Sequence, residues 1–198
     1  MRREAASGTL LIGGSLVGVV VMALHPVAHQ LRSPEAGAQL TRVNVLVHGL
    51  ALAAAPIVFL GLLGLWRRLQ PSDLATAGLV VYAWGLVAVL SAAVASGFVA
   101  PRVVDQEGLL HVTGFWNQGF AKVNVVASSV GILLFGTAIL KSSRLSRGVG
   151  VFGIVMPALL LALFFVGHIR VDVHGFGVVT FAQSAWLLWV GASLCRSA

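Results

Sequence analysis

The chain has 198 residues, 58% of them hydrophobic and 10% charged, with a net charge of +7 and a mean hydropathy of +0.96. A soluble domain carries about 25% charged residues, so this chain cannot cover its apolar surface in water and belongs with proteins whose apolar runs are solvated by lipid. The positive charge does not point to nucleic acid, because the cations are scattered through short links between apolar runs, where they act as topology anchors.

Six apolar segments follow one another, over residues 9–25, 43–65, 74–100, 120–140, 149–167 and 176–194. Each is close to the roughly 20 helical residues that span a bilayer core of about 30 Å. The first follows Met1-Arg2-Arg3 and has the flank of a signal peptide. Its apolar core is long and no small-x-small site precedes Pro26, so it reads as a membrane helix. Within the first segment Gly14 and Gly18 form a small-xxx-small pair. Ser91 with Ala95 and Ala93 with Gly97 do the same in the third, as bundle packing in lipid requires.

The expected fold is therefore an all-α integral membrane protein. It is a six-transmembrane-helix bundle of three antiparallel hairpins in one domain over residues 1–198. One side collects Arg2, Arg3, Arg67, Arg68, Lys141, Arg144, Arg147 and Arg196; the other collects Arg32, Arg42, Arg102, Lys122 and Arg170. Eight cations against five put the first side, with both termini, in the cytoplasm. Compact loops and an Ala/Gly/Val/Leu-rich composition suggest a bacterial inner membrane.

A polar motif stands at the mouth of every second segment. Arg42-Val43-Asn44-Val45, Lys122-Val123-Asn124-Val125 and Arg170-Val171-Asp172-Val173 each open a descending run. The recurrence fits a diverged internal triplicate; the plainer reading is that cations and Asn are common at helix mouths. Between two of these runs, residues 101–119 form the longest outer link, and residues 109–119 read as a short interfacial helix with Leu109, Leu110, Phe115 and Trp116 facing lipid. Trp66 and Trp116 fall near opposite interfaces.

All six histidines, His25, His29, His48, His111, His168 and His174, fall at or near the outer face. His25 and His29 are four residues apart, the spacing that places two imidazoles on one helix face, although Pro26 between them opposes a continuous helix. Asn44 and His48 share that spacing without the proline, and Ser128 follows Asn124 in the same way. His48 lies about one turn inside the segment, where a polar side chain faces a bundle interior or cavity. His168 and His174 flank a short link.

Clustered imidazoles suit a zinc or copper ion, haem iron, or a proton relay. The plainer alternative is a set of interfacial histidines without a ligand. The expected site has His25, His29, His48, His168 and His174 as ligands, with His111 a weaker candidate. Asn44, Asn124, Asp172, Arg42, Lys122 and Arg170 stand around it as orienting or pocket residues. A carrier with Arg42, Lys122 and Arg170 at an anion-attracting mouth is a second expectation. An accessory membrane subunit, as a homo-oligomer or with a partner subunit, is a third. No CxxC, HExxH, P-loop or GxSxG signature is present, and the single Cys195 excludes an internal disulfide.

Overall fold

The computed structural model describes residues 2–26 and 37–196. The described chain is helical throughout, with no strand among the described residues. Helix α1 spans Arg2–Ala23, α2 Gly37–Arg68, α3 Asp73–Val94, α4 Glu107–Ser142, α5 Arg147–Phe165 and α6 Val173–Arg196. All six are long and apolar enough to cross a membrane, and the chain is a multi-pass membrane protein by this composition.

All six helices begin before the apolar segments that announce them, while α1, α3 and α5 end short of the expected bounds. Helix α4 starts at Glu107 and α2 at Gly37, well before the runs at 120 and 43. With 36 residues, α4 is about 54 Å long, far more than a bilayer core of about 30 Å. The separate interfacial helix expected over 109–119 is instead the first part of α4. Its glycines, Gly108, Gly114 and Gly119, make no close approach to anything, and no proline interrupts the segment, so the helix continues. Leu109, Val112, Phe115 and Trp116 remain exposed on this extension.

Other ends have local causes. Ser72 and Ser146 cap α3 and α5, accepting from Ala75 N and Val149 N. Beyond α5, Gly167 takes φ +81°, a left-handed conformation that glycine adopts without a Cβ penalty, and the chain turns there.

Neighbouring helices touch through small residues. Gly14 of α1 abuts Val58 of α2, and Gly61 of α2 abuts Leu11 of α1. Helix α1 also lies against α6, where Gly8 meets Gly191. Helix α3 lies along α4 through Gly78–Gly131 and Gly85–Ser128, and α4 along α5 through Gly136–Gly153. Small residues thus let backbones approach closely in a medium that supplies no hydrophobic drive between helices. At the end carrying both termini, Arg68 pairs with Glu4 at 2.6 Å, and Arg144 donates to the Arg68 carbonyl at 2.7 Å. Near that end too, Trp66 donates its indole N–H to Thr76 at 3.0 Å. Leu11, Leu62, Ile132, Phe135 and Trp186 form the dry core below.

A histidine pair at the mouth of an intramembrane cavity

Two of the three polar motifs turn inward, one onto α3 and one onto the turn that follows it. Buried Asn44 donates its amide to the Ser96 carbonyl at 3.0 Å, and buried Asn124 donates to the Gly85 carbonyl at 2.8 Å. One turn along each helix, His48 Nδ1 lies 2.8 Å from the Asn44 carbonyl, and Ser128 Oγ donates to the Asn124 carbonyl at 2.6 Å. The third motif behaves differently. Asp172 precedes α6, and its carboxylate accepts from Gly175 N–H at 2.8 Å, so it caps the helix rather than gripping a neighbour.

The Ser96 carbonyl is free for Asn44 because of Pro101. Residues Ala95–Val99 form a π-helical turn, and Ala100 N–H bonds to the Ala95 carbonyl. The next donor in that register would be residue 101, and proline has no N–H. Asn44 supplies the missing donor across the helix interface. The same turn carries Gly97, where an added Cβ would overlap Cβ and Cγ of His48. The π turn and Gly97 together seat His48, which is 5% exposed.

His48 meets His25, just beyond the end of α1. Their Nε2 atoms are 3.3 Å apart and the rings meet edge to face, with centroids 4.8 Å apart at 72°. Each Nδ1 faces a backbone carbonyl, Asn44 O at 2.8 Å for His48 and Pro26 O at 3.0 Å for His25. A carbonyl only accepts, so both Nδ1 atoms carry the proton. In the neutral rings both Nε2 atoms are then acceptors, 3.3 Å apart. Two acceptors at 3.3 Å repel unless a cation lies between or beside them. Burial also holds His25 below its ordinary value of 6.5, more than the Pro26 carbonyl raises it.

The pair stands at the mouth of an open cavity of about 740 Å3 lined by α1, α2, α3, α4 and α6. Asp172 and His174 line the same mouth. His111 and His168 are exposed and do not line it; His111 stacks on Phe115 at 5.1 Å. Arg42, Lys122 and Arg170 are exposed and also stand off the cavity wall. His29 lies outside the described residues, and no cluster of three or more His, Cys, Asp or Glu side chains forms among the described ones. Reasoning from spacing paired His25 with His29 and missed its contact with His48, which depends on the π turn. It also missed Gln183, whose amide donates to Ser128 at 2.8 Å and Ser129 at 3.2 Å deep in the cavity wall. A glutamine inside an apolar run was the available signal.

Comparison with protein families, curated proteins and solved structures gives no match.

Proposed function

We propose that His25 and His48 hold a transition-metal ion, zinc or copper(II), at the outer mouth of the cavity. The observation that carries this reading is the pair's geometry. Zinc–imidazole bonds are about 2.0–2.1 Å, so two nitrogens at the tetrahedral angle stand about 3.3 Å apart. The Nε2 atoms are at 3.3 Å. Each opposite ring nitrogen donates to a carbonyl, the arrangement that fixes tautomer and ring orientation in metal-bound histidine. Water completes the coordination.

The same geometry speaks against bis-histidine haem, whose axial nitrogens sit on opposite faces of a porphyrin. A proton shared between the two Nε2 atoms is the other way to relieve their repulsion, and it is the alternative the experiment separates. The carrier reading has less support, because its three cations stand off the cavity wall.

The setting proposed for this site is a bacterial inner membrane with both termini cytoplasmic, supported by the cation asymmetry. Three antiparallel hairpins from a diverged triplicate rest on the recurring sequence motif; the contacts differ, since Asn124 reaches back to its own hairpin, Asn44 reaches forward to the next, and Asp172 caps its own helix. A homo-oligomer or a partner membrane subunit belongs to the same proposal.

The test is metal analysis of protein purified in mild detergent without chelators, before and after zinc or copper repletion. Near-stoichiometric metal, lost in His25→Ala and His48→Ala with melting temperatures held, supports the site. No retained metal after repletion overturns it in favour of the shared proton.

A further inference from the structure

Below the histidine pair the cavity has a mostly apolar wall and a polar patch near its floor; Tyr82, Asn117, Gln118, Asn124 and Thr180 also line it. Val21, Val47, Ala54, Val58, Leu86 and Leu187 supply much of the wall. Its volume of about 740 Å3 is that of a pocket for a small organic molecule. No lysine or arginine lines it among the described residues, and the single carboxylate, Asp172, is at the mouth. Charge therefore has no partner in the interior.

The polar patch comes from Ser15 on α1 and Ser184 and Gln183 on α6. Ser15 is 2% exposed, its hydroxyl is buried without a hydrogen-bond partner, and it lines the cavity. This departs from the chain's habit. Ser7, Ser91, Thr113, Thr137 and Thr180 all bond to the carbonyl four residues back, as hydroxyls in apolar helices usually do. Ser184 is 5% exposed and has no hydrogen bond among the described residues. Gln183 spends its amide N–H groups on Ser128 and Ser129, leaving its oxygen as an acceptor. Ser15 is ten residues from His25, about 15 Å along the helix.

We propose that this cavity binds one uncharged, elongated apolar molecule whose hydroxyl or carbonyl oxygen reaches the Ser15–Ser184 patch. The apolar wall accepts a chain or ring system drawn from the lipid phase. The patch both donates and accepts, so it matches an alcohol fully and a carbonyl through the serine hydroxyls. This assignment stands apart from the metal reading, since the patch lies about three helical turns below the imidazoles.

The experiment is native mass spectrometry of the protein in a steroid-based detergent too bulky for the cavity. The probes are 1-dodecanol, n-dodecane, dodecanoate and dodecyltrimethylammonium, titrated with and without a metal chelator. One dodecanol per chain is expected, bound more tightly than dodecane and than either ion, and indifferent to the chelator. Ser15→Ala weakens dodecanol about threefold to tenfold, the worth of one hydrogen bond. It leaves dodecane unchanged and the melting temperature equal or higher, because it removes an unpaired buried hydroxyl. Gly18→Leu occludes the cavity and removes both neutral probes. An added Cβ at Gly18 meets only Ser184 Oγ, at 3.9 Å, so there is room for it. Absence of a dodecanol adduct, equal binding of dodecanol and dodecane to wild type, or full dodecanol occupancy in Gly18→Leu overturns the proposal.

Discussion

Gly97→Ala is the sharpest perturbation of the histidine pair that leaves every site residue in place. A Cβ built at Gly97 lies 2.7 Å from His48 Cγ and closer still to its Cβ. Carbon atoms rest at about 3.5–4.0 Å, so the turn or the imidazole must yield by about 1 Å. Overpacking of this kind costs about 1–3 kcal/mol. The functional cost is expected to be larger in proportion. Metal–ligand distances tolerate only about 0.2 Å, so a shift of that size in His48 breaks two-point chelation and weakens zinc at least about tenfold. Gly49→Ala is the control, next in sequence to His48 but with nothing within 4 Å of its added Cβ. It keeps zinc affinity and gains up to about 1 kcal/mol in helix stability. Calorimetric zinc titration paired with thermal melting reads both quantities. Unchanged zinc affinity in a folded Gly97→Ala protein would show that Gly97 does not seat His48.

Three further outcomes follow from the same contacts. Asn44→Ala should destabilise more than Asn124→Ala. The first leaves the Ser96 carbonyl with no helical donor because of Pro101, at about 1–3 kcal/mol; the second removes an interhelical bond to a carbonyl already served by its own α-helix, at about 0.6–1.7 kcal/mol. Denaturant melts in detergent that rank them equal or reversed contradict this. Below pH 6.5 the folded state binds fewer protons at His25 than the unfolded chain does, because burial lowers its value. Stability of the metal-free protein is thus complete above 6.5 and falls as the pH drops through it. His25→Ala should flatten that fall, and an unaltered pH profile would show that His25 is not its source. Gly136→Val forces a side chain against the Gly153 backbone, 2.7 Å from an added Cβ, and should cost about 1–3 kcal/mol or more. Gly13→Ala, which meets nothing within 4 Å, should not.

The helices were legible because lipid imposes a simple rule, that about 20 apolar residues make a span. Their ends were less so. Helix α4 runs to Glu107 because nothing in residues 108–119 stops it, and apolar content alone does not register a helix that leaves the membrane still wound. The importance of Asn44, Asn124 and His48 was visible, since polar side chains inside apolar runs need partners. Which partners they take was not. The His25–His48 contact joins residues 23 apart through a tertiary approach, and that approach hinges on a π turn whose only sequence marks are Gly97 and Pro101. The i, i+4 rule favoured His29 over His48 because it reads a single helix and cannot see its neighbour. The serine patch was equally hidden, since Ser15 is distinguished only by failing to bond its own helix.

In the proposed site the facing Nε2 atoms share one metal ion. X-ray absorption spectroscopy on the zinc-repleted protein tests it most directly. Two imidazole nitrogens at about 2.0–2.1 Å from zinc, falling to one in His48→Ala, are the predicted result. A zinc shell without imidazole, one unchanged by His48→Ala, or a protein that retains no zinc would contradict the claim.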